Sequence, residues 1–270
     1  MLARLLLCAA LLVAPLAMDP SFASESGAVG AAGILWSPDG AVPPSLTGVV
    51  VVLHASTGID SRGWRYGDQI TAAGIAVLHM ELQETSANGF IPATASDELT
   101  AARARLIRVL DLLAADPRYS QAPIGLLAFG DAGRAALLAT ADPAHRDRIA
   151  GLALLYPGCG ELAAGATTER ASARSPVLLL HGDADPLNRP ADCIELEGQL
   201  ARSAPVHRRQ YSGAGYAWDF VPHGPYETVR LPWPGRPGLL VAVRHWPEAA
   251  AFSAAHTASF FAATLAAHQE

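Results

Sequence analysis

Residues able to do chemistry gather directly behind apolar runs. Asp131 follows Ile124-Gly-Leu-Leu-Ala128, inside the turn Ala128-Phe129-Gly130-Asp131-Ala132-Gly133. Asp183 and Asp185 follow Val177-Leu-Leu-Leu-His181, in His181-Gly182-Asp183-Ala184-Asp185. A third run, Val206-His-Arg-Arg-Gln-Tyr211, leads into Ser212-Gly213-Ala214-Gly215-Tyr216-Ala217-Trp218-Asp219. A nucleophile, a base and a carboxylate at neighbouring strand ends would carry out covalent acyl transfer. The carboxylates are present here. The centre of the first turn is glycine, however, and the third segment holds no histidine. All 19 basic residues are arginine, which excludes a lysine nucleophile, a Ser–Lys dyad and a Schiff base.

The elements that must position these groups are legible. Gly48–His54, Ile75–His79, Ile124–Ala128, Ile149–Tyr156, Val177–His181 and Val206–Tyr211 read as strands. Continuous apolar strands are covered on both faces, as in a parallel sheet. Helical patterns lie between them. Asp97 to Ala115 places Leu99, Ala102, Leu106, Val109, Leu110 and Leu113 on one side. Gly133–Thr140, Pro190–Arg202 and Phe252–Gln269 are shorter or less patterned helices. Alternating strands and helices predict an α/β architecture, a right-handed, doubly wound, mostly parallel sheet with helices on both faces. Gln83 to Thr94 reads as a surface loop. Val229–Trp233 and Leu239–Arg244, around a turn at Pro234–Gly238, read as a hairpin before the last helix, able to act as a flap.

Composition narrows the class. An apolar content of 51% suits a large buried core, and a net charge of −6 without like-charge runs disfavours a nucleic-acid surface. Arg4 followed by the apolar stretch Leu5–Met18 and by Ser21-Phe22-Ala23 reads as an export signal, cleaved after Ala23. The stretch is too short to span a bilayer, which takes roughly 20 residues. The expectation is a signal peptide over residues 1–23 and one domain over 24–270, periplasmic or secreted and free of the membrane once cleaved. Export leaves Cys159 and Cys193, which either pair at one edge of the sheet or stay as two buried thiols.

The order and spacing of four segments resemble the dienelactone hydrolase family of α/β-hydrolases, over roughly residues 48 to 265. They are Val52-Leu-His-Ala-Ser-Thr-Gly58, Gly125–Ala136, Val177–Asp185 and Tyr211–Asp219. The resemblance implies an α/β-hydrolase fold and hydrolysis of esters or lactones by a Cys or Ser, an Asp and a His. The sequence itself holds no metal cluster with usable spacing and no glycine-rich nucleotide fingerprint, so no cofactor and no metal are expected.

Register decides which residue stands at the nucleophile position. A nucleophile elbow needs small residues two before and two after its centre. Centring on Gly130 places Ala128 and Ala132 there; centring on Asp131 places Phe129 in one of them. Gly130 therefore stands where the family has Ser or Cys. Asp131 remains a rival nucleophile; otherwise it is an exposed acid at a helix start, favoured by the helix dipole. Asp185 takes the acid position. Tyr216 takes the histidine position; a phenol with pKa near 10 is a poor base, but it could donate to Asp185 and plug the site. His223 is the one nearby histidine that could have moved into the base role. His54 and His181 end buried strands and read as structural side chains. The backbone of His54, Ala55 and Ser56, with that of Asp131, matches the donors of an oxyanion hole.

Three functions follow. The first is a degenerate hydrolase, a pseudoenzyme with a retained pocket for a small-molecule ester, lactone or carboxylate. The second is an active carboxylic-ester or lactone hydrolase with relocated groups, using Asp131, Ser56 or Ser212 with His223. The third is a non-enzymatic binding module that uses the fold's surface, including the Trp233 hairpin. The sequence does not specify an oligomeric state.

Overall fold

A computed structural model of the chain describes residues 33–38, 47–54, 58–82, 95–169, 174–222, 228–233 and 238–269. Residues 1–23, the loop 83–94, Ala55, Ser56, His223 and most of the hairpin turn lie outside that set. Seven strands form one sheet in the order β1-β3-β2-β4-β5-β6-β7. They are β1 (Ile34–Trp36), β2 (Val49–His54), β3 (Ala76–Glu81), β4 (Ile124–Phe129), β5 (Ile149–Leu155), β6 (Val177–Gly182) and β7 (Val206–Tyr211). Only β1 runs antiparallel, paired with β3. Every other neighbouring pair is parallel. β8 (Thr228–Pro232) and β9 (Leu240–Arg244) form a separate antiparallel hairpin.

Both faces of the sheet are covered, as the continuous apolar strands predict. Val49, Val51 and Leu53 of β2 face one core with helices α2 (Ala95–Ala115), α3 (Ala132–Ala139), α4 (Cys159–Glu169) and α5 (Pro190–Leu200). Val50 and Val52 face the other, with α1 (Ser61–Ala72) and α6 (Pro247–Ala267). The period-2 alternation of a strand divides the two cores residue by residue.

Sequence reasoning missed β1, α1 and α4. α1 carries Gly63 and Gly67, which read as breakers, yet both are needed. A Cβ at Gly63 would run into the His54 imidazole, and one at Gly67 would lie 2.8 Å from His79 Nε2. Close approach of α1 to two strand histidines outweighs the helix penalty of glycine. Asp60 starts the helix by accepting the Arg62 N–H at 2.9 Å. α6 begins at Pro247, five residues before the predicted start, with proline in its favoured first-turn position.

Cys159 and Cys193 form a disulfide that ties the start of α4 to α5. Both residues are fully buried. The bridge closes a span of 34 residues, which corresponds to roughly 3–4 kcal/mol of unfolded-state entropy. Cys193→Ser is therefore expected to lower the urea midpoint, and dithiothreitol in the refolding buffer to reproduce the shift in wild type. An unchanged midpoint under both conditions would remove the bridge from the stability of the fold.

Candidate functional site

The turn between β4 and α3 is a tight strand–glycine–helix elbow. Gly130 sits at φ +55°, in the left-handed region where L side chains are strained. Its N–H donates to Leu155 O on β5 at 3.0 Å, and its carbonyl accepts Gly133 N–H at 3.1 Å. A Cβ built on Gly130 would lie 2.6 Å from the Tyr216 hydroxyl oxygen. The phenol thus occupies the space that a serine or cysteine side chain would need. Tyr216 is 4% exposed and meets Tyr156 edge-on, ring centroids 5.2 Å apart. Burial, and next the Asp131 carboxyl, push its pKa well above the usual phenol range, so it stays neutral and is no general base.

Asp185 is 2% exposed at the end of the β6 segment. Its carboxyl accepts Leu187 N–H at 2.8 Å and Asn188 Nδ2–H at 2.8 Å. Among the described residues these local donors, not the Tyr216 hydroxyl, are its side-chain and loop partners. Asn188 uses its Oδ1 to accept the N–H groups of Gly158 and Cys159, at 2.8 and 3.1 Å. Asp185 thereby braces the start of α4. Burial pushes its pKa up to about 6.

Asp131 precedes α3 and is half-buried rather than exposed, because the packed turn carries it inward. Burial raises its pKa to about 6; Glu98 adds to the rise, while Arg62 and the N–H groups of Asp131 and Ala132 oppose it. The His54 imidazole sets its Nε2 3.4 Å from Nδ1 of His79, and its ring centroid lies 5.7 Å from that of Phe129. Burial lowers the two imidazoles to about 4 and about 3, so both are neutral. His181 accepts from Arg208 Nη1 at 2.9 Å. Both histidines are buried side chains of the core, as the sequence suggests. Among the described residues, no histidine bonds to Asp131 or Asp185: His145 meets Asp111, and His256 meets Tyr211.

A buried polar network behind Tyr216 escaped sequence reasoning. Asp219 is fully buried and accepts the Tyr66 and Tyr156 hydroxyls, each at 2.7 Å. Arg62, 1% exposed, donates to the Tyr156 oxygen at 3.3 Å and pairs with Asp60 at 2.5 Å. Ser253 on α6 lies 2.6 Å from the Tyr66 oxygen and accepts Trp218 Nε1–H at 3.2 Å. The available signal was Asp219 itself, an acid next to Trp218 in an otherwise apolar segment. Tyr156 and Ala217 hold φ of +41° and +48°, the two non-glycine positive values among the described residues. Such strain costs roughly 1–3 kcal/mol per residue and collects at functional sites.

Open space lies beside the elbow rather than at it. A cavity of about 710 Å³ is bounded by the α2 start, Asp131 and α3, the α4 and α5 starts, and Trp233 at the end of the hairpin. Gly130, Tyr216, Asp185 and His54 are not among its lining residues.

These features define an α/β-hydrolase fold: parallel strands with helices on both faces, and a strand–glycine–helix elbow at the carboxyl end of the sheet. No protein-family model matches the sequence, and no curated protein matches it. Solved structures do. The chain is similar to dienelactone hydrolase from Anabaena variabilis, TM-score 0.57 and 16% identity, over 85% of this chain and 90% of that one. It is similar to a dienelactone hydrolase-like promiscuous phosphotriesterase from metagenomic libraries, TM-score 0.56 and 18% identity, over 82% and 87%. Est1E from Butyrivibrio proteoclasticus gives TM-score 0.53 and 17% identity, over 68% and 85%.

Two predictions follow from this geometry. Gly130→Ser places a Cβ against Tyr216 at a positive φ, so it should destabilise the fold by roughly 1–3 kcal/mol. Adding Tyr216→Ala should recover part of that loss, with a coupling of about 0.5–3 kcal/mol in urea unfolding. Strict additivity would show that the two side chains do not share the space. The second concerns Asp185, whose folded pKa of about 6 lies above its ordinary 3.8. The unfolded chain loses this proton first, so the stability from the neutral acid is complete below about pH 4 and is lost as pH rises through about 6. The Asp185→Asn variant should gain on wild type across that interval, by at most about 3 kcal/mol. Parallel stability profiles for the two proteins would contradict it.

Proposed function

We propose that this chain is an exported, dienelactone hydrolase-like protein of the α/β-hydrolase fold that no longer runs the family's triad chemistry and retains a small-molecule pocket. The observation that carries the reading is the Tyr216 hydroxyl oxygen 2.6 Å from the Cβ that a nucleophile at position 130 would need. Nucleophile and base act as a unit, so loss of both leaves only the residual effects of binding and backbone donors. Export rests on the leader pattern over residues 1–23 and agrees with the Cys159–Cys193 disulfide, since such bonds persist in oxidising compartments.

Asp131 favours a second reading, an ester or lactone hydrolase with a displaced nucleophile. Of the residues singled out for chemistry in the sequence, it lines the cavity. Hydrolysis through Asp131 would need a base to activate water in the second step. His223 is the remaining sequence candidate for that base.

One assay separates the two. Purified wild type is expected to turn over short-chain p-nitrophenyl esters and lactones at the buffer rate and to resist fluorophosphonate labelling. The paired variant Gly130→Ser with Tyr216→His is expected to gain labelling and ester turnover. Wild-type turnover that disappears in Asp131→Ala or His223→Ala would overturn the degenerate reading and establish the second. For export, N-terminal sequencing of the periplasmic or secreted protein should begin at Ser24; an intact Met1 in the cytoplasm would contradict it.

A further inference from the structure

The hairpin of β8 and β9 stands apart from the seven-stranded sheet, and its register shows what its edges offer. Strand partners run Thr228↔Arg244, Arg230↔Ala242 and Pro232↔Leu240. Just past the last of these, Trp233 N–H donates to Leu239 O at 2.8 Å. Hydrogen-bonded and non-bonded pairs alternate along an antiparallel ribbon. Leu231 with Val241 and Val229 with Val243 are therefore the bonded pairs, while Leu240, Ala242 and Arg244 turn their N–H and C=O groups outward. Among the described residues none of those outward groups has a hydrogen-bond partner. The edge of β8 is guarded: Pro232 stands at one of its outward positions and has no N–H to offer. The edge of β9 has no such guard.

The same register sorts the side chains. Val241 and Val243 are buried, with Val229 and Leu231 packed beside them. The opposite face is exposed and carries Arg230, Arg244 and Leu240, the last 52% exposed. Neither strand contains an acidic residue, and among the described residues no ion pair or hydrogen bond holds either arginine. This is a cationic face on a chain of net charge −6. Ala242, the cross-strand partner of Arg230, is too small to stop that guanidinium reaching over it toward the open edge.

We infer that β9 accepts an extended acidic peptide as a third strand of the hairpin, with its backbone bonded to Leu240, Ala242 and Arg244 and its carboxylates paired with Arg230 and Arg244. In the antiparallel arrangement the residues opposite Arg244 and Ala242 are acidic and the one opposite Leu240 is apolar. The pattern is acid-x-acid-x-apolar, because alternate residues of a strand share a face. Main-chain bonds supply affinity and the alternate side chains supply specificity. Charge favours this occupant over a second copy. Two-fold pairing of β9 with itself about Ala242 would set each Arg244 opposite a Leu240 and bring no carboxylate to the face. The inference does not depend on the state of the elbow.

The probe is the fluorescein-labelled, C-amidated peptide Thr-Glu-Val-Glu-Val-Leu-Thr, titrated by anisotropy against the full chain with its disulfide intact. It is expected to bind at least about tenfold more tightly than the version with lysine for both glutamates. N-methylation of the second glutamate, whose N–H donates to Ala242 O in the added strand, is expected to lower affinity by a similar factor. N-methylation of the valine after it, whose N–H points away from β9, is expected to change affinity less than about threefold. The double variant Arg230→Ser with Arg244→Ser should lose the preference for glutamate over lysine, with its urea midpoint confirming that it is folded. Equal binding of the lysine peptide, or affinity unchanged by N-methylation of the second glutamate, would overturn the proposal. Absence of binding at millimolar peptide, or binding to phosphatidylglycerol vesicles without binding to the peptide, would overturn it as well. A dimer in sedimentation velocity that Ala242→Pro dissociates would assign the edge to a second copy and overturn the peptide.

Discussion

A carboxylate without solvent contact fixes the carboxyl end of this sheet. Asp219 is fully buried, and burying a charge costs several kcal/mol unless hydrogen bonds and an opposite charge offset it. Its partners come from separate parts of the chain: Tyr66 from α1, Tyr156 from the end of β5, and through Tyr66 the Ser253 hydroxyl on α6. Arg62 supplies the positive charge and is itself held by Asp60 and roofed by the Phe129 and Phe220 rings, at 5.3 and 5.5 Å. None of these contacts forms alone. α1 must lie close enough for Tyr66 to reach, which is what Gly63 and Gly67 permit above the His54–His79 pair.

That constraint determines what stands at the elbow. Asp219 anchors the segment after β7, and Tyr216 lies three residues earlier in it, so the phenol is delivered to the turn beyond β4. Ala217, between them, accepts φ +48° to make the connection. Tyr156 accepts φ +41° and donates to Asp219 at 2.7 Å. The structure therefore over-determines Tyr216, and a side chain at position 130 must compete with an anchored ring. The glycine at 130 and the phenol at 216 are one steric arrangement rather than two separate features.

Sequence patterning shows the fold well because it reports burial. Val49 to Leu53, Ile124 to Phe129 and Val177 to Leu180 are continuous apolar runs, and they are buried parallel strands. β1 is three residues long, too short to show a period. α1 is amphipathic, but Arg62, Gly63 and Gly67 stand on its buried face beside Tyr66 and Ile70, so a count of apolar residues passes over it. At the elbow the sequence offers a register argument. Small residues at 128 and 132 point to Gly130, and Gly130 has the left-handed φ of the turn. The direction of Tyr216 is not legible there. Spacing marks it as an occupant of the histidine position but cannot tell whether the ring faces Asp185 or the glycine. That choice is made by Asn188, which takes one carboxyl oxygen of Asp185, and by the Asp219 anchor. The polar network is invisible in sequence because Arg62, Tyr66, Tyr156, Asp219 and Ser253 are dispersed along the chain.

The cavity depends on a different set of interactions. Its α4–α5 wall is held by the Cys159–Cys193 bridge and by Asn188, whose carbonyl accepts the first N–H groups of α4. Asp185 orients Asn188, so the residue in the acid position has a mechanical task that needs no histidine. Two hydrogen bonds from local donors satisfy its carboxyl, and truncating the side chain to alanine would free the Asn188 amide and loosen the wall. A carboxylate kept at that position is thus no evidence for catalysis. It is explained by the wall it supports, and the elbow glycine is explained by the ring that fills its space.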